Sequence, residues 1–163
     1  MKIIVFSDSH DDAVSMEEAL KKHRSAEVMI FCGDGSKDIQ TIRSLHPDKA
    51  LFAVRGNCDW YCDFPDVLDL ELCGKKIFVT HGHLFGVKQG LQRYIDHGHS
   101  NGYDIIIFGH THKQLTSVEG NMLLLNPGAI GYGGKYTMLQ INENTGQITA
   151  TEYPDSSMPP LKL

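Results

Sequence analysis

No apolar stretch in this sequence approaches the roughly 20 residues that span a bilayer. A membrane partner is therefore not expected. Lys2 is followed at once by a four-residue apolar run, completing a five-residue strand pattern, and then by charged residues. A secretory leader needs a longer apolar region, so none is expected and the chain reads as cytoplasmic. Positive charge is scarce: 15 Lys and Arg stand against 20 Asp and Glu, a net charge of −5. No global basic field draws the chain to long nucleic acid or to an anionic membrane. Cysteine is sparse and unpatterned. Cys32 sits in a strand pattern as a small hydrophobe, and Cys58 and Cys62 form a C-x3-C pair with no second pair, a weak zinc signal. Free thiols are expected. Internal repeats, low-complexity runs and linkers are missing as well. The 163 residues read as one domain, 1–163, with a frayed tail from about 154.

What is present is a recurring pattern. Five short apolar runs each stop at Asp, Asn or His. Residues 2–6 end in Ser7-Asp8-Ser9-His10, and 28–32 end in Gly33-Asp34. Residues 50–54 end in Arg55-Gly56-Asn57-Cys58-Asp59, and 76–79 end in Thr80-His81-Gly82-His83. Residues 104–108 end in Gly109-His110-Thr111-His112. A core needs buried strands. It does not need this residue class at every strand exit.

Helical spacing of Ala13, Met16, Ala19 and Leu20 predicts a helix to about 24, with Asp11-Asp12 capping it. Ser36 is the expected N-cap of a second helix through Ile39, Ile42 and Leu45, closed by Pro47. Residues 60–65 read as a loop. Val67–Leu72 alternates and pairs with the next run through a tight turn at Gly74-Lys75. A third helix is expected over 87–99, with Leu91, Tyr94 and Ile95 inward and His97 and His99 on the solvated surface. Short strands over 114–118, 122–125, 136–141 and 147–153 follow, with a turn at 126–129. Parallel connections in front and antiparallel ones behind give the expected fold class. It is α/β, two stacked mixed β-sheets flanked by helices, a four-layer α/β/β/α sandwich.

Asp8, His10, Asp34, Asn57, His81, His110 and His112 offer oxygen and imidazole nitrogen without thiolate. That donor set suits Mn, Fe or Zn and disfavours a structural thiolate-zinc site. Alternation along extended chain would put Asp8 beside His10, and His110 beside His112, each pair addressing one point. Seven donors are too many for one ion with an open position and about right for two sharing a carboxylate. Two metals roughly 3.5–4 Å apart suit in-line displacement at phosphorus. Singly, each residue has an ordinary explanation: Asp8 and Asp34 as turn residues or caps, Asn57 as half of a Gly-Asn turn. Five coincidences in order do not.

At these residues the sequence resembles the calcineurin-like metallophosphoesterases. Their pattern D-x-H, G-D, G-N-x-[DE], H, G-H-x-H appears as Asp8-Ser9-His10, Gly33-Asp34, Gly56-Asn57-Cys58-Asp59, His81 and Gly109-His110-Thr111-His112. Length and the lack of a cap domain resemble the small prokaryotic phosphodiesterase branch. The resemblance implies two divalent ions, Mn foremost, with Fe, Ni and Zn as other fits. Asp8, His10 and His112 would bind the first, and Asn57, His81 and His110 the second, with Asp34 bridging. A bridging hydroxide would attack a small phosphodiester, Asn57 would touch the phosphate, and His110 would help offset charge. His83, two residues past His81, is a candidate for the substrate or the outer shell. Larger relatives carry His where Cys58 stands, and a thiol with an ordinary pKa of about 8.5 is a poor acid. Diesters with good leaving groups are the expected substrates. The competing readings are an inactive protein-interaction scaffold of the same fold, and a phosphomonoesterase or short-oligonucleotide nuclease. Self-association through the Val67–Leu72 edge or the late hairpins is compatible with the sequence.

Overall fold

The computed structural model describes residues 1–154 and 161–163. Strands β1 (Lys2–Phe6), β2 (Val28–Phe31) and β3 (Ala50–Ala53) alternate with helices α1 (Ala13–Lys22) and α2 (Ser36–Leu45). They are followed by β4 (Val67–Leu72), β5 (Lys75–Thr80), a 3₁₀ turn (His83–Phe85), α3 (Gln92–Asn101) and β6 (Ile105–Ile107). Then come β7 (Leu115–Glu119), β8 (Met122–Asn126), β9 (Tyr136–Ile141), β10 (Ile148–Tyr153) and β11 (Leu161–Lys162).

The strands form two mixed sheets. One has the order β11-β10-β9-β1-β2-β3, the other β4-β5-β6-β8-β7. In the first, β1, β2 and β3 run parallel, and β9 joins β1 antiparallel. In the second, β6 lies parallel between β5 and β8.

The apolar runs are continuous because both faces of these strands are covered. Ile3, Val5, Val28 and Ile30 meet Ile77, Val79, Ile105, Ile107, Leu123 and Leu125 in the layer between the sheets. The alternate residues Ile4, Phe6, Met29 and Phe31 pack on Met16, Leu20, Ile39 and Ile42 of α1 and α2. On the far side Phe78, Ile106, Phe108 and Leu124 are closed over by Tyr94 of α3. Each such burial contributes about 1.5–3 kcal/mol. β4 keeps its alternation because it is the sheet edge with one face half-open.

Several expectations need correction. The third helix starts at Gln92, because Gly82 and Gly86 adopt left-handed φ of 105° and 67° and turn the chain through 3₁₀ geometry first. Val87 is buried beside Gly82 without being helical. Residue 36 does not cap α2: Gly35 holds the N-cap position and the cap comes from elsewhere in the chain. The β4–β5 turn uses Cys73 and Gly74, with φ of 51° and 71°, rather than Gly74-Lys75. His97 is half-buried between Phe78 and Phe85, ring centroids 4.7 and 5.0 Å away, while His99 is exposed. Asn126, the first residue of the expected turn over 126–129, also ends β8 and is fully buried, its Oδ1 accepting from the Gly128 N–H at 2.9 Å. Most of the expected frayed tail lies outside the described residues, but Leu161–Lys162 pairs with β10.

Candidate metal centre

All seven sequence-selected donors stand on loops at the carboxyl ends of β1, β2, β3, β5 and β6. Parallel strands gather their exits at one end, and both sheets present that end together. His83 begins the 3₁₀ turn after β5.

The donors fall into two trios. Asp8, His10 and His112 bring ligand atoms within 4.8 Å of one another, and so do Asp34, His81 and His110. The extended alternation expected for these loops is overturned. Asp8, His10, Asp34, His110 and His112 all have left-handed φ, between 45° and 66°. Neighbouring side chains therefore diverge, and His110 and His112 enter different trios. His10 does join Asp8, through a left-handed turn rather than along a strand.

In the first trio, His112 Nε2 lies 3.1 Å from Asp8 Oδ1 and 3.3 Å from His10 Nε2. Asp8 is fully buried. Its Oδ2 accepts from Ser7 Oγ at 2.5 Å and from the His110 N–H at 3.0 Å. Its Oδ1 is buried with no hydrogen-bond partner. An unpartnered carboxylate oxygen aimed at two imidazoles fits a cation that they share. Burial raises the Asp8 pKa, against the lowering pull of His81. The exposed ring of Tyr132 stacks on His112, 5.3 Å between centroids, and stands 5.4 Å from His10.

In the second trio, His81 Nδ1 donates to the Cys32 carbonyl at 2.7 Å, which aims Nε2 at the site. Around that Nε2 lie Asn57 Oδ1 at 3.2 Å, His110 Nδ1 at 3.1 Å and Asp34 Oδ2 at 3.3 Å. Asn57 thus joins this trio from an exposed position. Burial would lower the His81 pKa, but Asp34 and Asp8 outweigh it and raise it. Asp34 goes the other way. Burial raises it, and His81 with the Cys58 N–H holds it below the usual carboxylate range. Both directions describe a point that attracts positive charge. Burial and His81 hold His110 down to about 4, so its ring is neutral at pH 7. His83 is half-buried, its centroid 5.5 Å from His81 and 6.2 Å from His110, and burial and His81 lower its pKa. Burial and Asp34 push Cys58 up to about 11, so its thiol is a weaker acid than usual.

The glycines of the motif have a packing reason. A Cβ on Gly109 would meet Ser7 Oγ at 1.9 Å, and one on Gly56 would meet Asp34 Oδ1 at 2.0 Å. Those loops lie against the carboxylates they position.

Three supporting residues escape a sequence reading. Asp59 is buried and accepts four backbone N–H groups: Asp34 and Gly56 on Oδ2, both at 2.8 Å, and Gly35 and Ser36 on Oδ1, at 2.9 and 2.8 Å. It caps α2 and clamps the Asp34 and Asn57 loops together. The last place of G-N-x-[DE] carried that signal. Asp38 accepts from Ser9 Oγ at 2.6 Å and from the Asp11 N–H at 3.0 Å, holding the β1 loop. Asn126 donates to Gly109 O at 2.8 Å and Thr111 Oγ1 at 3.1 Å, holding the β6 loop. Asp12, by contrast, caps α1 as its position suggests, accepting from Ser15 N at 2.9 Å.

Two stacked mixed sheets with this donor-rich rim define an α/β sandwich carrying a candidate metal centre. The chain belongs to the calcineurin-like phosphoesterase superfamily, whose domain model matches residues 1–145. It is 38% identical to "Probable metallophosphoesterase YsnB" of Bacillus subtilis, over 80% of this chain and 75% of that protein. It is 30% identical to "Phosphodiesterase MJ0936" of Methanocaldococcus jannaschii, over 78% of this chain and 83% of that protein. Among solved structures it matches a conserved protein of Streptococcus pneumoniae described as a predicted phosphoesterase, with TM-score 0.79 and 26% identity over 99% and 96% of the two chains. The fold is also that of Vps29 from Entamoeba histolytica, solved in complex with Zn²⁺, with TM-score 0.76 and 22% identity over 100% and 98%. Among the described residues no helix is long and apolar enough to cross a membrane.

Proposed function

We propose that the protein is a phosphodiesterase working with two divalent ions, Mn²⁺ foremost, on a small phosphodiester. The observation that carries this reading is the pair of donor trios, one of which contains a buried carboxylate oxygen with no other partner. Asp8, His10 and His112 would hold one ion. His81, His110 and Asn57 would hold the other, and Asp34 would be the carboxylate they share. When bound, such ions supply Lewis acidity that activates water and offsets charge developing at phosphorus.

The remaining work falls to side chains. Cys32 fixes the His81 tautomer through its carbonyl. Neutral His110 and Asn57 face the phosphate, and the His110 ring adds a hydrogen-bonding edge where charge develops. His83 stands one ring further out beside His81 and His110, a candidate for the substrate or the outer shell. Cys58 contributes no general acid, so a gain of roughly 10²–10⁴-fold from that source is missing. Diesters with good leaving groups are accordingly preferred, and Cys58→His should extend activity to poorer ones.

The test is hydrolysis of a chromogenic phosphodiester by metal-stripped protein with Mn²⁺, Ni²⁺, Zn²⁺ or Mg²⁺ added back. Activity is expected only with metal, and it should vanish in Asp34→Asn and His112→Ala. A wild type that binds two ions yet stays silent would overturn the substrate class. A wild type that binds none would hand the fold to the scaffold reading.

A further inference from the structure

Beside the second trio opens a cleft of about 550 Å³. Its lining runs from His10 and Asp34 past Lys37 of α2 to Trp60, Tyr61 and Cys62. The volume suits one nucleotide-sized ligand. Trp60 is 79% exposed and Tyr61 fully so. Two adjacent large aromatics in water forgo substantial apolar burial.

Their loop is nonetheless fixed. Asp59 ties its start to α2 through four N–H bonds. Arg55 closes its base, donating its N–H to Pro65 O at 2.9 Å and its guanidinium to Asp66 at 2.7 and 3.0 Å. Tyr61 sits at φ 65°, a left-handed conformation that a bulky residue seldom adopts. The aromatic pair is thus held out at the rim of the donor cluster rather than left loose.

We infer that Trp60 and Tyr61 form a stacking platform for the base of a nucleoside phosphodiester whose phosphate lies at the donor trios, a specification that rests on the phosphodiesterase reading above. Aromatic rings left open beside a phosphate site suit a planar ring, because every base presents a π-face. Lys37, exposed on the same lining, supplies a positive charge for a second phosphate or a sugar oxygen. The net charge of −5 and the limited volume of the cleft favour a mononucleotide or dinucleotide over a long strand.

Trp60 is the sole tryptophan of the chain, so intrinsic tryptophan fluorescence reads this cleft alone. Mn²⁺-loaded protein would be titrated with adenosine monophosphate and, in parallel, with ribose 5-phosphate. Saturable quenching by the first and none by the second is expected. By calorimetry, Trp60→Ala should weaken binding of adenosine monophosphate roughly 5- to 100-fold and Trp60→Phe should retain it. Trp60→Ala should also raise KM for a dinucleotide by a larger factor than KM for a base-free diester. Absent quenching, equal binding of the two ligands, or an unchanged affinity in Trp60→Ala would overturn the inference. A failed phosphodiesterase reading shows itself separately, as a wild type silent on the chromogenic diester whatever the fluorescence does.

Discussion

Asp8 Oδ1 concentrates at one atom the compromise this rim makes. A buried acceptor without a partner costs about 1–3 kcal/mol, and five of the seven donors add left-handed φ to it. Such strain is kept where function holds it in place. Asp8→Asn puts an amide N–H where Oδ1 stood, facing His112 Nε2, and keeps an oxygen for Ser7 and the His110 N–H. In chelator-treated protein this variant should be more stable than wild type by about 1–3 kcal/mol in denaturant titrations. Mn²⁺ should no longer protect it. A variant less stable than wild type would show that Oδ1 carries no deficit.

Among the elements, the loops matter more than the strands they leave. Asn126→Ala removes the side-chain bonds that tie the Gly109–Thr111 segment to β8, so the loop that carries His110 and His112 loosens. Mn²⁺ affinity by calorimetry should fall about 10- to 100-fold, with the circular dichroism spectrum unchanged. Unaltered affinity would mean that the glycine packing and the backbone bonds to Asp8 and His81 suffice to fix this loop. This is also the level at which sequence was most and least legible. The buried runs, their order and the donor at each exit could be read, because both faces of a covered strand must be apolar and turn chemistry is local. The grouping could not be derived from spacing. Alternation paired His110 with His112, and left-handed backbone sends them to separate trios. The family resemblance assigned the two histidines to different ions, but that came from a motif rather than from geometry. Asp59 and Asn126 act across 25 and 17 residues of sequence, on backbone groups that leave no trace in side-chain pattern. The late start of α3 was hidden because Val87 and Leu91 keep a helical spacing that two left-handed glycines override.

For the molecule as a whole, alkaline pH is the exposed flank. Burial pushes Tyr94 and Cys32 well above their ordinary values, and it raises Tyr136 to about 12. Burial and the hydrogen bond to Asp69 push Tyr103 to about 12 as well. Each group holds its proton more tightly folded than unfolded. Their contribution is complete below the unfolded values of 9.0 for the thiol and 10.0 for the phenols, and is lost as pH climbs beyond them. The urea midpoint should stay level to about pH 9 and fall steeply between about 10 and 12. Tyr94→Phe should flatten that fall, and a midpoint level to pH 12 would refute the account.

Each donor trio takes side chains from both sheets: Asp8 and His10 from the first with His112 from the second, Asp34 from the first with His81 and His110 from the second. Whatever occupies the trios therefore rivets the sandwich shut along one seam. Sliding one sheet over the other by an ångström would spoil both trios together, so the gauge of the interior layer sets the calibre of the rim. A methylene trimmed from Ile30 or Ile107, whose side chains lie in the layer between the sheets, should register first as looser grip at the seam and only then as a softer fold.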